Sequence, residues 1–452
     1  MRHRVYELPL PGWIDPAGLA AVLFEDRAGA VWLDSGIHAA DGMSYLGFGT
    51  RYLTASVADR TVSVDGATSA GDLFDFLRAD LVVPELSTST GFQLGWVGWL
   101  GYGLRAQTMG APPTHNSRYA DASLLFVDLA IVFDHSAGSV TVMGLEASAV
   151  EELCATVGGL RPGLSVAVRA EPPLRAEVEW ADSDDDYLRM IVACQTAIEA
   201  GDAYQLCLTT EARVAVTPDP FETYLALRAT NPSHHGAFFR AGDVSLLSSS
   251  PELFLSVAPD GTIESHPIKG TRRRGKTREC DEALVAELLT SDKERAENLM
   301  IVDLMRNDIA RVSEVGSVSV PRLLAVETYA HVHQLVSTVR GRLAAGLTPV
   351  DAVNACFPAG SMTGAPKLSA VTILDRLEHR ARGVYAGAFG YFGLDGRVEL
   401  SMVIRSILLD SDGATVGSGG GITALSVPAD ELAEVKLKAA AMLAVLGVAP
   451  SA

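Results

Sequence analysis

Cysteine is scarce in this chain, and none of the cysteines stands in a pattern that binds metal. The 452 residues include five cysteines, which is an odd number, and no two of them form a Cys-x-x-Cys pair. This pattern excludes the usual zinc motifs and gives no framework of paired disulfides. We therefore interpret the cysteines as core thiols of a protein in a reducing compartment.

Long apolar runs and excess positive charge are also missing. No uninterrupted apolar stretch is long enough to cross a bilayer, and residues 1–13 lack the apolar core of a signal peptide. The sequence has 36 Lys and Arg against 55 Asp and Glu, so its net charge of -19 repels nucleic acid and anionic membranes. We expect a soluble cytoplasmic protein without nucleic-acid or membrane partners. An anionic ligand would need local positive charge or a metal.

The composition is that of a large folded protein. Hydrophobic residues make up 48% of the chain, which is enough to bury a sizeable core. A stretch rich in proline and arginine, residues 161–179, predicts a connection between an N-terminal region, 1–178, and a catalytic domain, 179–452. The first region is predicted to be β-rich and to pack against the second. Strands and helices without a regular βαβ period predict an α+β fold.

Two predicted helices each carry a Glu-x-x-Glu pair, Glu294 with Glu297 and Glu431 with Glu434. A spacing of three places both carboxylates of a pair on one helix face. If the two helices face each other, four carboxylates converge, and such a cluster needs a cation. Oxygen ligands suit Mg2+ better than zinc or copper. On an acidic protein the same pattern also occurs on solvated helix faces, so both interpretations stay open.

One lysine stands in a turn bounded by proline and glycine, in the string Pro267-Ile268-Lys269-Gly270-Thr271. Several arginines and lysines follow it directly. A basic run is usually solvated or binds phosphate, whereas a lysine whose charge is tuned by its site can be a nucleophile. The residues alone leave both possibilities open.

Several strings, in order, resemble the chorismate-utilising enzyme family over most of residues 180–446. They are Tyr204-Gln205, Ser250-Pro251-Glu252, the lysine turn at 267–271, the two Glu-x-x-Glu helices, residues 357–367 and residues 417–422. Within that family the lysine turn is similar to that of aminodeoxychorismate synthase component I. In anthranilate synthase component I the lysine position is usually alanine.

The resemblance implies a large fold of packed β-sheets flanked by helices, with chorismate as the substrate and Mg2+ as the cofactor. It assigns Tyr385 and Arg405 to the enolpyruvyl carboxylate of chorismate, and Glu297 and Glu434 to a Mg2+ that bridges to the ring carboxylate. The other substrate-binding residues that the resemblance implies are Gln205, Thr271, Gln334, Ser361, Gly419, Gly421 and Lys438.

The chemistry expected of these residues is an amination. Glu252 can protonate the departing C4 hydroxyl if burial keeps the carboxyl protonated. Lys269 can attack C2, after which ammonia attacks C4 and expels the lysine. The expected product is 4-amino-4-deoxychorismate, for 4-aminobenzoate and folate synthesis. Gln205 cannot be the base that activates water, a task that a lysine performs in the similar isochorismate and salicylate synthases.

The family commonly pairs with a glutamine amidotransferase subunit, and this sequence contains no Gly-x-Cys-x-Gly nucleophile turn. We therefore expect a separate amidotransferase partner that donates ammonia. Two alternatives remain: anthranilate synthase component I, which Lys269 chiefly disfavours, and a non-catalytic chorismate-binding subunit. Gln334 stands where many members have a histidine, which slightly disfavours elimination of pyruvate. The string Trp32-Leu33-Asp34-Ser35 is interpreted as the end of a buried strand.

Overall fold

Two antiparallel sheets of twelve strands each form the centre of the protein. The computed structural model describes residues 4–24, 27, 29–81, 91–160, 176–329 and 332–449. Eleven α-helices lie in this part of the chain, and they pack on the sheets and on one another. The expected α+β fold of packed sheets flanked by helices is therefore confirmed.

The strands alternate with the helices along the chain without a regular period. The strands are β1 (Tyr6–Leu10), β2 (Ala30–Asp34), β3 (Met43–Phe48), β4 (Arg51–Ser56), β5 (Thr61–Val64), β6 (Ala67–Ala70), β7 (Gly95–Leu100), β8 (Ala122–Val127), β9 (Leu129–Asp134), β10 (Ser139–Gly144), β11 (Val178–Trp180), β12 (Gln205–Val214), β13 (His235–Ala241), β14 (Val244–Ser250), β15 (Leu253–Val257), β16 (Thr262–Ser265), β17 (Ile268–Arg273), β18 (Ser319–Thr328), β19 (Val332–Arg342), β20 (Gly364–Ala365), β21 (Ala388–Gly393), β22 (Val398–Met402), β23 (Ser406–Asp410) and β24 (Gly413–Ile422). The helices are α1 (Pro16–Leu23), α2 (Leu73–Asp80), α3 (Arg105–Met109), α4 (Ala147–Gly158), α5 (Asp184–Glu199), α6 (Pro220–Thr230), α7 (Arg278–Thr290), α8 (Asp292–Ala310), α9 (Pro349–Cys356), α10 (Lys367–Glu378) and α11 (Pro428–Val445).

Each sheet draws strands from distant parts of the chain. The first sheet has the order β1-β10-β9-β3-β2-β13-β14-β23-β24-β12-β11, with β20 paired to β12. The second has the order β17-β19-β16-β15-β22-β21-β7-β8-β4-β5-β6, with β18 paired to β19. Apolar side chains from both sheets meet between them. For example, the ring of Phe239 on β13 lies 5.5 Å from the ring of Trp99 on β7 and 5.7 Å from that of Phe389 on β21.

The predicted division into 1–178 and 179–452 falls within these sheets. In the first sheet β2 pairs with β13, and in the second β7 pairs with β21, so both sheets join strands from the two regions. Strand β11 spans the predicted boundary, and residues 161–175 of the predicted connection lie outside the described residues. The division into two domains stays a prediction. The paired strands show that the two regions share both sheets.

The two helices that carry the Glu-x-x-Glu pairs pack on different sheets. Helix α8 packs on β17 and β19 of the second sheet, and α11 packs on β24 of the first. Buried Asn298 anchors α8, because its amide donates to the Leu335 carbonyl at 3.2 Å and accepts from the Ser337 hydroxyl at 2.6 Å. The Ser418 hydroxyl anchors α11 by donating to the Val435 carbonyl at 2.6 Å. None of the described helices is long and apolar enough to cross a membrane.

A buried ion pair ties the N-terminal region to the rest of the first sheet. Strand β2 ends at Asp34, which confirms the interpretation of residues 32–35 as a strand end. The Asp34 carboxylate accepts from Arg228 Nε at 2.6 Å, from Arg228 Nη2 at 3.2 Å and from the Tyr224 hydroxyl at 2.9 Å. Both charged side chains are almost fully buried. A carboxylate in that position needs its guanidinium partner.

Replacing Arg228 by methionine should lower the free energy of unfolding by about 3 to 5 kcal/mol, because the buried Asp34 carboxylate loses its counterion. Urea unfolding followed by tryptophan fluorescence measures this change. Arg306→Met is the matched control, since Arg306 forms an exposed pair with Asp303 and its loss should change the free energy of unfolding by less than about 1 kcal/mol. Equal effects of the two substitutions would contradict the structural role of the Asp34–Arg228 pair.

Candidate active site

A bulge in the edge strand β17 positions Lys269. Ile268 pairs with Val336 and Thr271 pairs with Gln334, so β17 has one more residue than β19 between these pairs. Gly270 accommodates the extra residue with a φ of 87°, in the left-handed region that glycine enters without strain. Because a bulge re-aims the side chains next to it, the position of Lys269 differs from that in a regular strand.

The Lys269 ammonium lies within electrostatic reach of three carboxylates. These belong to Glu252, Glu297 and Glu434, and the positive charge acts to lower the pKa of each of them. The structure therefore brings the lysine of the turn together with the predicted acid and with one glutamate from each Glu-x-x-Glu pair.

Glu252 is a buried carboxyl group beside this lysine. Its side chain accepts hydrogen bonds from the side chain of Ser361 and from the backbone N–H of Ile268. Burial raises the pKa of the Glu252 carboxyl, and these hydrogen bonds and Lys269 only partly offset burial. A raised pKa favours the protonated form that a general acid requires.

Glu297 on α8 carries an unsatisfied oxygen atom. Among the residues that the structure describes, its buried Oε1 has no hydrogen-bond partner. Burial raises the pKa of the Glu297 carboxyl, and the neighbouring carboxylates of Glu294 and Glu431 raise it further. The positive charges of Lys269 and Lys293 act in the opposite direction. The site therefore contains buried negative charge that its own hydrogen bonds do not satisfy.

Glu434 on α11 has a different environment. Burial acts to raise its pKa, but nearby ammonium groups outweigh burial and hold the pKa below its ordinary value. Lys438 is the nearest of them, with its Nζ 2.7 Å from Glu434 Oε1. The same Nζ donates to the Gly419 carbonyl at 3.0 Å, which links Lys438 to the glycine run.

The other glutamate of each pair is held by a cation. Glu294 Oε1 lies 3.2 Å from Arg272 Nη1, and Glu431 Oε1 lies 3.2 Å from Lys293 Nζ. The hydroxyl of Ser426 also donates to Glu431 Oε1 at 2.7 Å. Within the described ranges, no three His, Cys, Asp or Glu side chains are close enough together to hold a metal ion. Convergence of all four glutamates on a metal stays a prediction.

The donor chemistry of the cleft nevertheless fits a magnesium ion. Its carboxylates offer oxygen atoms only, which is the donor type that Mg2+ prefers. The unsatisfied Glu297 Oε1 is the observation that supports this fit, since a cation would neutralise a buried oxygen that lacks a partner in the described structure. Glu297 and Glu434 are the residues that would hold the ion.

Tyr385 and Arg405 lie together next to the glycine run. The Arg405 guanidinium interacts electrostatically with Tyr385 and donates to the Lys438 carbonyl at 3.2 Å. Arg405 adopts a φ of 52°, and Ala386, directly after Tyr385, adopts a φ of 62°. Non-glycine residues in this region are strained, and such strain concentrates at functional sites. The Tyr385 ring packs over Gly417, where a Cβ atom would lie 2.2 Å from the ring Cγ.

The glycine run on β24 permits close packing against β12. Gly419 pairs with Thr209 and Gly421 with Cys207. A Cβ atom on Gly421 would lie 2.3 Å from Gln205 Nε2, so only glycine leaves room for this side chain. Gln205 is 1% exposed, and its Oε1 has no hydrogen-bond partner among the described residues. That oxygen is a buried acceptor available to a bound ligand.

The two remaining predicted residues face each other across the edge of the second sheet. Exposed Thr271 on β17 pairs with buried Gln334 on β19. The predicted residues thus come from strands of both sheets, from α8 and α11, and from the segments that connect strands. Sequence reasoning missed Lys293 and Ser426, which both contact Glu431. Lys293 precedes Glu297 by four residues, a helical ion-pair spacing that could have identified it.

Comparisons with known proteins identify the family of the chain. The chain matches the chorismate binding enzyme family over residues 29–444. It is 46% identical over 405 residues to aminodeoxychorismate synthase of Streptomyces griseus, an alignment that covers 86% of this chain and 56% of the relative. It is 41% identical over 451 residues to aminodeoxychorismate synthase of Streptomyces pristinaespiralis, covering 94% of this chain and 62% of the relative. The chain thus spans only part of these relatives.

A solved structure supports the same placement. The chain is similar to anthranilate synthase component I from Streptococcus pneumoniae TIGR4, with a TM-score of 0.80 and 30% identity, covering 95% of this chain and 97% of that one. The menaquinone-specific isochorismate synthase of Escherichia coli shares the fold, with a TM-score of 0.70, 19% identity and coverage of 98% and 94% of the two chains. On these grounds, the chain belongs to the family of chorismate binding enzymes.

Proposed function

We propose that this chain replaces the C4 hydroxyl of chorismate by an amino group and so forms 4-amino-4-deoxychorismate for 4-aminobenzoate and folate synthesis. The observation that carries this proposal is the position of Lys269 among the carboxylates of Glu252, Glu297 and Glu434. An acid and a nucleophile side by side suit displacement of a hydroxyl group. The relatives named aminodeoxychorismate synthase add support.

The reaction proceeds in two displacements that share one acid. The uncharged Lys269 amine attacks C2 and forms a C–N bond, both conjugated ring double bonds shift towards C4, and the C4–O bond breaks. Glu252 gives its proton to the departing oxygen, which leaves as water. Ammonia then attacks C4, both double bonds shift back, and the bond between C2 and Lys269 breaks. The surplus proton of the incoming ammonia returns to Glu252. The sum is chorismate plus ammonia giving the amine plus water.

The remaining residues bind and orient the substrate. Tyr385 and Arg405 hold the enolpyruvyl carboxylate, and backbone N–H groups of the glycine run reach the carboxylates because no side chain intervenes. When bound, Mg2+ neutralises Glu297 and Glu434 and orients the ring carboxylate. The residues that complete the polar shell are Gln205, Thr271, Gln334, Ser361, Gly419, Gly421 and Lys438, and Glu294 and Glu431 complete the proposed carboxylate cluster around the metal.

Ammonia is mostly protonated at neutral pH, and ammonium has no lone pair for attack at C4. A glutamine amidotransferase that releases ammonia close to this site would remove that limit. We therefore include such a partner in the proposal. With an isolated chain, added ammonium at mildly alkaline pH substitutes for the partner.

Anthranilate synthesis is the second candidate. Anthranilate synthase component 1 of Pseudomonas putida is 37% identical over 374 residues, covering 79% of this chain and 76% of that protein. That reaction adds ammonia at C2 and eliminates pyruvate, so it does not need a lysine that attacks C2. A third possibility is a non-catalytic chorismate-binding subunit. Such a subunit would not need Lys269 beside a buried acid, so this arrangement disfavours it.

Product analysis distinguishes these candidates. The purified chain with chorismate, Mg2+ and ammonium at mildly alkaline pH should give 4-amino-4-deoxychorismate, identified by chromatography and mass spectrometry. Chelation with EDTA should abolish turnover, and excess Mg2+ should restore it, because the buried carboxylates need a cation before they accept an anionic substrate. Anthranilate and pyruvate as products would replace the proposal with its second candidate. Binding without turnover would indicate the non-catalytic subunit.

Lys269→Ala should lower kcat for amine formation by at least about a hundredfold, because the covalent step is lost. The dissociation constant for chorismate, measured by isothermal titration calorimetry, should change much less. Lys276→Ala is the matched control, since Lys276 is an exposed member of the same basic run and should retain wild-type turnover. Wild-type rates of product formation by Lys269→Ala would refute the covalent role.

Glu252→Gln should lower kcat about 10²- to 10⁴-fold, because glutamine cannot donate the proton. The same substitution should change the pH dependence of stability. A carboxyl whose folded-state pKa is raised stabilises the fold below its unfolded pKa, and that contribution is lost as pH rises through the folded pKa.

Relative to wild type, Glu252→Gln should therefore become more stable as the pH rises above the ordinary range of a glutamate carboxyl, as Tm measured by differential scanning fluorimetry reports. Glu282→Gln serves as the control, because Glu282 is exposed and pairs only at the surface with Arg278. A difference in Tm between Glu252→Gln and wild type that stays constant with pH would show that Glu252 is not a high-pKa acid.

A further inference from the structure

Lys293 on α8 is paired with a buried carboxylate on α11. It is the second residue of α8, and its Nζ is 3.2 Å from Glu431 Oε1 on α11. Its charge also interacts with the carboxylates of Glu297 and Glu434. The ammonium group of Lys293 thus interacts with the carboxylates of Glu297, Glu431 and Glu434, which lie on both helices.

The position of this lysine on its helix is electrostatically unfavourable. The N-terminus of a helix carries a partial positive charge, which disfavours a cation in the first turn by about 0.3 to 1 kcal/mol. The negative charge across the cleft offsets this cost. Glu431 is only 3% exposed and would otherwise be a buried carboxylate held by the Ser426 hydroxyl. The ion pair of Lys293 therefore compensates the buried charge of Glu431 on α11 and does not stabilise the N-terminus of α8.

We infer that Lys293 is a built-in counterion that holds α8 and α11 together in the metal-free protein and competes with Mg2+ for the same carboxylates. This inference rests on the magnesium clause of the proposed function and on no step of the amination. A bound Mg2+ would repel the Lys293 ammonium, and the half-exposed side chain could then turn toward solvent. The lysine thus weakens metal binding and protects the empty acidic cleft from repulsion among its own carboxylates.

Calorimetric titration with Mg2+ alone, without chorismate, tests this role. Lys293→Met should bind Mg2+ about tenfold more tightly than wild type or better, because one positive charge beside the ion is gone. Lys436→Met is the matched control. Lys436 lies on α11, as Glu431 and Glu434 do, but it pairs with Asp184 on α5. Its replacement removes one positive charge that does not contact these glutamates. Its affinity for Mg2+ should stay within about twofold of wild type.

Stability gives an independent measure. Without metal, Lys293→Met should have a lower Tm than Lys436→Met, and added Mg2+ should raise its Tm more than that of wild type. If Lys293→Met does not fold, Lys293→Gln and Lys293→Arg replace it. The arginine variant should keep the weak affinity of wild type, and the glutamine variant should gain affinity.

Unchanged or weaker Mg2+ affinity in Lys293→Met would overturn the inference, as would failure of all variants to bind Mg2+. Failure of the proposed function is distinguishable from both results. If the chain makes anthranilate or no product at all, the gain in Mg2+ affinity on losing Lys293 still establishes the counterion role.

Discussion

The balance between buried carboxylates and a few ammonium groups is the constraint on which the site depends. Burial raises the pKa of Glu252 and of Glu297, and the charges of Lys269 and Lys293 act against that rise. An unpaired charge in such a place costs several kcal/mol. The cleft therefore persists only because its walls belong to two large sheets that are anchored elsewhere, by the aromatic core between them and by hydrogen bonds such as those of Asn298.

In the proposed reaction, the same balance gives Lys269 two tasks that conflict. As a cation, it neutralises the carboxylates of Glu297 and Glu434. As a nucleophile, it must be uncharged and then bonded to carbon. When its charge is lost, the glutamates on α8 and α11 need another cation, and a divalent ion held by them is the natural replacement. In this proposal, the metal held by the glutamates of α8 and α11 replaces the positive charge that Lys269 loses, so the two helices and the lysine turn must contribute to one site.

Residue types and short spacings predicted the α+β class, the lysine turn and the two Glu-x-x-Glu pairs, whereas Glu252 was singled out by the resemblance to chorismate-utilising enzymes. The bulge at Gly270 was not predictable, because it depends on the register between β17 and a strand more than sixty residues later. Likewise, the pairing of β2 with β13 joins residues about two hundred positions apart, and no local pattern specifies it. The ion pair of Lys293 with Glu431 depends on how two helices on different sheets approach each other.

The negative charge of the glutamates on α8 and α11 would couple the binding of metal to the binding of substrate. In the proposed function chorismate brings two carboxylates into a site that is already acidic, so substrate and metal would each reduce the electrostatic cost of binding the other. By linkage, the factor by which Mg2+ raises chorismate affinity equals the factor by which chorismate raises Mg2+ affinity. The acidic cleft thereby favours assembly of the complete site over retention of a metal without substrate.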